Sequence, residues 1–87
     1  MGKVNDLAVR EALPEVIGSL MHPDKEVRDS AARALGKIAE AVPATQLGED
    51  RRLDILEALF RALSDVQPAV RAKAVRSLGK LVRAAYL

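Results

Sequence analysis

The sequence has no cysteine and no tryptophan, and its aromatic residues are one phenylalanine and one tyrosine. Without cysteine, the chain cannot form a disulfide, a thiolate metal site or a cysteine nucleophile. The apolar residues left to build a core are mainly leucine, valine, isoleucine and alanine. We interpret this aliphatic composition as that of close-packed helices.

Groups that carry chemistry are also scarce. The one histidine, His22, has no cysteine or second histidine with which to share a metal, and the five glycines are scattered rather than gathered in a phosphate-binding loop. Glu11 and Glu15 are spaced i, i+4, which we interpret as a solvated helix face rather than an acid–base pair. The sequence therefore predicts no catalytic, metal-binding or cofactor-binding residue, and we interpret His22 as a structural residue of a turn.

Long apolar runs are missing as well. None approaches the roughly 18 residues of a transmembrane helix, and the N-terminus, which includes Lys3 and Asp6, lacks the apolar core of a signal peptide. We expect no membrane partner and a cytoplasmic location, with the nucleus as the alternative. A chain of 87 residues with 49% hydrophobic and 30% charged residues is that of one folded domain.

The sequence does contain apolar residues at helical spacing. They recur in the i, i+3, i+4, i+7 pattern of amphipathic helices, and no stretch alternates like a strand. The predicted fold class is therefore all-α, with four main helices. The turn within each pair of helices is short, so the two helices of a pair should be antiparallel. The four apolar stripes are Val9–Leu20, Val27–Val42, Leu53–Leu63 and Val70–Ala85.

Residues between the stripes predict where the helices begin. Asp24 is placed to cap the second helix, with Lys25 as its first residue, and Pro68 takes the corresponding first position of the fourth helix. We expect Asp50 to cap the third helix. Pro14 lies inside the first stripe, so we expect a kink there or a helix that starts late.

The chain nearly repeats itself after 43 residues, because residues 20–41 align with residues 63–84 without a gap. Such a period indicates stacked units, each unable to bury its apolar face alone. We expect repeat one at residues 5–42, a connector at 43–49 and repeat two at 50–87. Identical pairs include Leu20/Leu63, Val27/Val70, Arg28/Arg71, Ala31/Ala74, Leu35/Leu78, Gly36/Gly79 and Lys37/Lys80.

The repeated stretches, from Pro23 to Gly36 and from Asp65 to Gly79, resemble the HEAT-repeat family of α-solenoids. The family pattern has an aspartate in the turn between two helices, a proline, a Val-Arg pair, an alanine three positions on, and then Leu-Gly. The resemblance implies an α-α superhelix of four antiparallel helices in two repeats. It also implies a ladder of turn aspartates and arginines, in which Arg28 would reach Asp65; the first repeat has His22 at the aspartate position.

Two glycines lie in the middle of predicted helices, Gly36 in the second and Gly79 in the fourth. Glycine costs about 1 kcal/mol relative to alanine in a helix interior. Its repetition at aligned positions indicates that a neighbouring helix passes where a β-carbon would clash. We therefore interpret both glycines as packing devices rather than as parts of a functional site.

Charge is distributed unevenly along the chain. Residues 66–87 contain five basic residues and no acidic one, whereas residues 22–42 contain four of each. Basic residues at aligned positions of the two repeats should lie along one ridge of the second helices, and the resemblance implies that second helices line a concave, partner-facing surface. The predicted partner-binding residues are Arg33, Lys37, Lys73, Arg76, Lys80 and Arg83.

These observations predict a non-enzymatic scaffold or protein-interaction module that binds a protein partner along the ridge. The main alternative is binding of nucleic acid or another polyanion through the basic last helix, although the ridge has no aromatic residue on which bases could stack. A solvated basic face without a partner is also open. A lyase-like or chaperone-like role, as in HEAT-like bilin lyases, is a further alternative for which no candidate catalytic residue exists.

Two repeats are fewer than the three or more that usually stabilise such arrays. Both ends of the chain carry apolar residues, so we expect a homo-oligomer formed through them. A piece of a longer array and an engineered mini-repeat are the alternatives. The apolar end residues are Val4, Leu7 and Val9 at one end, and Val82, Tyr86 and Leu87 at the other.

Overall fold

The computed structural model describes residues 6–86, except for the side chains of residues 6–9, 44, 85 and 86. The described chain is helical and contains no strand, which confirms the all-α prediction. Helices α1 and α2 form repeat one, and α4 and α5 form repeat two. In chain order the elements are α1 (Asp6–Gly18), a 3-10 turn (Ser19–Met21), α2 (Lys25–Ala41), α3 (Ala44–Leu47), α4 (Glu49–Ala62) and α5 (Pro68–Tyr86).

Two helix starts follow the sequence prediction. Asp24 caps α2, because its Oδ1 accepts a hydrogen bond of 2.9 Å from the backbone N–H of Glu26. The side chain thereby satisfies one of the N–H groups that a helix start leaves without a partner. Pro68 is the first residue of α5, where its missing N–H costs nothing. Helix α1 already begins at Asp6 and continues through Pro14, so it does not start late.

The predicted cap of the third helix is wrong. Helix α4 begins at Glu49, directly after Gly48, and no side chain caps it. Gly48 has a φ of +91°, a left-handed conformation that glycine adopts without strain. The chain therefore turns into the helix earlier than expected. Asp50 lies in the first turn of α4 instead, where its negative charge suits the helix dipole.

The segment predicted as a connector contains structure of its own. Residues 44–47 form the short helix α3, held by a 2.9 Å hydrogen bond from the backbone N–H of Leu47 to the carbonyl of Pro43. Leu47 is 1% exposed and Val42 is 2% exposed. The segment is helical because only a folded turn brings the Leu47 side chain into the core.

The core is aliphatic and lies between the four main helices. The second helices of the two repeats, α2 and α5, pack side by side along their length, and α1 lies beside α4. Alanines on α2 and α5 allow this close approach, since Ala32 and Ala74 are both completely buried. The largest fully buried side chains are Leu13, Leu35, Leu47, Ile55, Leu59, Val42 and Val70.

The two aligned glycines have different surroundings. The hydroxyl of Ser77, on α5, packs over Gly36 and donates a 2.6 Å hydrogen bond to the carbonyl of Ala32. A β-carbon added at Gly36 would lie 3.0 Å from the Ser77 Cβ and closer still to its hydroxyl. The packing interpretation is therefore confirmed for Gly36. It is wrong for Gly79 within this chain, because no described atom would lie within 4 Å of its β-carbon.

Candidate interaction surface

Five of the six predicted partner-binding residues surround one surface depression between α2 and α5. The depression has a volume of about 360 Å³, and buried Ser77 also lines it. The two helices bring the residues together because α2 and α5 run alongside each other with aligned sequences. We call this depression the basic groove; its charged residues are Arg33 and Lys37 of α2 and Lys73, Arg76 and Lys80 of α5.

Two of these lysines are paired with acidic residues of α2. The Lys73 Nζ lies 3.3 Å from the Asp29 Oδ1, and the Lys80 Nζ lies 3.5 Å from the Glu40 Oε1. Both pairs link repeat two to repeat one and neutralise part of the positive charge. The other three groove residues, Arg33, Lys37 and Arg76, form no ion pair with any residue that the structure describes.

The sequence prediction missed these acidic partners. The charges of residues 22–42 sum to zero, which hides the fact that Asp29 and Glu40 act across the helix interface. A signal was present in their spacing, because 11 residues correspond to about three helical turns and place both side chains on the same side of α2. What the spacing does not reveal is which helix lies beside them.

Arg83 does not line the basic groove. It is exposed on α5, about one turn beyond Lys80. Arg83 aligns with Glu40 of repeat one rather than with a basic residue, and its surroundings differ accordingly.

The ladder contact expected between the repeats is present. The Arg28 guanidinium donates two hydrogen bonds to the Asp65 carboxylate, one of 2.8 Å from Nε and one of 3.2 Å from Nη2. These hydrogen bonds from Arg28, together with the backbone N–H of Gln67 and the charges of Arg28 and Arg71, lower the pKa of Asp65, while burial opposes the shift. The pair therefore stays charged and joins the turn of repeat two to α2.

His22 is a structural residue of the first turn, as expected. Its Nδ1 accepts a 3.0 Å hydrogen bond from the backbone N–H of Asp24. The aligned Asp65 does the same in the second turn, where its Oδ1 accepts a 2.9 Å hydrogen bond from the N–H of Gln67. The imidazole thus replaces the carboxylate in shaping the turn, but it offers no negative charge to a neighbouring repeat.

We find no cluster of metal-binding groups in the described part of the chain. Between residues 6 and 86, His, Asp and Glu side chains do not converge in threes as metal ligands would. Glu11 and Glu15 are both exposed on α1. Among the helices described here, none combines the length and the apolar character needed to cross a membrane.

Most of the apolar end residues cannot be compared with the structure. Val82 is 50% exposed on α5. The other predicted contacts for self-association lie outside the described side chains, so the homo-oligomer stays a prediction. These residues are Val4, Leu7, Val9, Tyr86 and Leu87.

Comparison with known protein families agrees with the two-repeat arrangement. Residues 2–38 match the model of a HEAT-like repeat, and residues 55–85 match that of a HEAT repeat. Each match covers most of one helical pair, and neither includes α3. No curated protein and no solved structure matches the chain.

Proposed function

Because the chain belongs to the HEAT-repeat family, whose repeats generally serve as scaffolds for protein interactions, we propose that it is a non-enzymatic scaffold that holds an acidic segment of a protein partner in the basic groove. The groove lies between the second helices of the two repeats, α2 and α5. Its arginines and lysines would contact carboxylates of the partner, while the aliphatic core behind them keeps the two helices in place.

The observation that carries this proposal is the excess of positive charge in the basic groove. Five cationic side chains share a depression of about 360 Å³, and only two of them have an acidic neighbour among the described residues. Like charges held this close repel each other, and an anionic ligand relieves that repulsion. Arg33 and Arg76 can also each donate two parallel hydrogen bonds to a carboxylate.

An acidic peptide suits the groove better than a nucleic acid. Asp29 and Glu40 lie beside Lys73 and Lys80 and would repel a continuous phosphate backbone. The side chains that line the groove include no aromatic ring on which a base could stack. An acidic peptide can place its carboxylates opposite the unpaired arginine and lysine residues and leave the paired positions uncontacted.

Binding of a labelled polyglutamate peptide, followed by fluorescence anisotropy at low and moderate salt, tests the proposal. We expect salt-sensitive binding that weakens about tenfold or more in Arg76→Glu and in Lys37→Glu, because each reverses a charge inside the groove. The matched control is Lys25→Glu, which makes the same change of charge at an exposed position at the start of α2. We expect the control to bind like the wild type.

Results of two kinds would overturn the proposal. One is a lack of peptide binding at low salt, or an equal loss of binding in Lys25→Glu, since either shows that the groove has no special affinity for carboxylates. The other comes from a labelled DNA duplex. If the duplex binds more tightly than the peptide and Arg76→Glu abolishes that binding, the protein is a polyanion binder through α5 instead.

A further inference from the structure

The free positive charge of the basic groove is concentrated in its middle. At one end of the groove, Lys73 is paired with Asp29. At the other end, Lys80 is paired with Glu40. The cations between these two pairs form no ion pair with any residue that the structure describes; they are Arg33, Lys37 and Arg76.

These three cations lie within about one helical turn of each other. Arg33 and Lys37 are four residues apart on α2, which places their Cβ atoms about 5 to 6 Å apart on one face of the helix. Arg76 lies at the same level of α5, because the hydroxyl of its neighbour Ser77 donates a 2.6 Å hydrogen bond to the carbonyl of Ala32. This buried hydrogen bond fixes the two helices against each other, so the three side chains start from well-held positions.

The short length of this central stretch favours a compact anion over several carboxylates. In an extended peptide, side chains on the same side are about 7 Å apart, so the stretch has room for one carboxylate and its single negative charge. A second carboxylate would approach Asp29 or Glu40, which repel it. A phosphate group on one side chain carries about −1.5 to −2 charges at neutral pH and has three acceptor oxygens, so it compensates the three cations better.

The hydrogen-bond donors of the central stretch also suit a phosphate. Arg33 and Arg76 can each donate two parallel hydrogen bonds to phosphate oxygens, and the Lys37 ammonium adds a compact positive charge. All three side chains are exposed, so a phosphate can reach them without any change in the aliphatic core. The stretch therefore has the charge, the donors and the access that a phosphorylated side chain needs.

We propose that the acidic segment held in the basic groove carries a phosphorylated serine or threonine, whose phosphate binds between Arg33, Lys37 and Arg76. This inference rests on the proposed function, because it takes the basic groove as the binding site for the partner. It makes binding dependent on phosphorylation of the partner. A nucleic acid differs from such a segment, since its phosphates continue past both ends of the groove, where Asp29 and Glu40 lie.

Three labelled peptides that differ only in their central residue test this preference. The central residue is serine, glutamate or phosphoserine, and the flanking glycines and alanines carry no charge. By fluorescence anisotropy at low salt, we expect the phosphoserine peptide to bind about tenfold or more tightly than the glutamate peptide. The serine peptide should not bind measurably. Inorganic phosphate should displace the labelled phosphopeptide less well than the unlabelled phosphopeptide does, which distinguishes a phosphorylated segment from free phosphate as the ligand.

A pair of matched variants tests whether the central stretch is responsible. Arg33→Gln should weaken binding of the phosphoserine peptide about tenfold or more, because it removes one of the three cations and its parallel hydrogen bonds. The matched control is Arg83→Gln, which makes the same change at an exposed position of α5 outside the groove. We expect the control to bind like the wild type. Circular dichroism would verify that both variants are folded.

Each outcome decides for or against the proposal. It is overturned if the glutamate peptide binds as tightly as the phosphoserine peptide, if Arg33→Gln and Arg83→Gln weaken binding equally, or if inorganic phosphate competes as well as the unlabelled phosphopeptide. If polyglutamate binds in the groove and phosphoserine gives no gain over glutamate, only this proposal fails. If the phosphoserine peptide binds through Arg33 and polyglutamate does not bind, only the choice of carboxylates in the proposed function fails.

Discussion

Gly36 and Gly79 show how much the surroundings of a residue decide its role. Both stand between leucine and lysine in aligned helices, so their local sequences are the same. Gly36 is covered by Ser77 of the adjacent repeat, whereas Gly79 faces open space. Glycine at position 36 therefore permits close helix packing, while glycine at position 79 costs helix stability without any compensating contact among the described residues.

This difference predicts opposite effects of one substitution. Gly36→Ala should lower the free energy of unfolding by about 1 to 2 kcal/mol, because overpacking against Ser77 outweighs the gain in helix propensity. Gly79→Ala should raise it by up to about 1 kcal/mol, because only the gain applies. Guanidinium denaturation measures both. Destabilisation by Gly79→Ala would show that a neighbour fills the space beside it.

The secondary-structure elements differ in how far the sequence predicts them. The starts of α2 and α5 were predictable, because an aspartate cap and a proline act locally. The start of α4 and the existence of α3 were not, since a helix of four residues has no stability by itself. Helix α3 exists because Leu47 is buried against the other helices, and no local sequence pattern predicts that contact.

The buried position of Leu47 makes α3 a stabilising element. Leu47→Ala should lower the free energy of unfolding by about 3 kcal/mol, through lost apolar burial and the cavity left behind. The matched control is Leu53→Ala on α4, where the side chain is 53% exposed and the loss should stay below about 1 kcal/mol. Thermal and guanidinium denaturation give both values. Equal effects would mean that α3 is only a connector.

At the scale of the whole molecule, the junction between α2 and α5 unites the two repeats. The aliphatic core supplies most of the apolar burial, and the Arg28–Asp65 pair supplies a well-oriented polar contact, with side-chain exposures of only 13% and 10%. The same side-by-side packing creates the basic groove. This groove runs along the junction, with Arg33 and Lys37 on one side and Lys73, Arg76 and Lys80 on the other.

The Arg28–Asp65 pair predicts a pH dependence of global stability. The pKa of Asp65 is lowered from 3.8 in the folded protein, chiefly by the hydrogen bond from Arg28. Its stabilising contribution is therefore complete above pH 3.8 and is lost as the pH falls further, through the folded-state pKa. Asp65→Asn should lower the free energy of unfolding by about 2 kcal/mol at neutral pH, and the difference from wild type should shrink in acid.

Urea denaturation of both proteins across the acid range checks this dependence. The control is Asp54→Asn, because the Asp54 side chain is 53% exposed and its nearest ion-pair contact is 3.9 Å long. We expect no measurable change for the control. A difference between wild type and Asp65→Asn that persists unchanged well below pH 3.8 would show that the charge of Asp65 is not responsible.

The sequence by itself determined the features that depend on local pattern. Apolar spacing determined the four helices and the 43-residue period determined the two repeats, while the resemblance to the HEAT-repeat family implied the contact between Arg28 and Asp65. Only the tertiary structure decided which basic residues stay unpaired and which glycine is covered. The physical reason is that the pairing of a basic residue and the covering of a glycine both depend on which helix packs beside them and on how far that helix is shifted along its axis. A periodic sequence does not specify that neighbour.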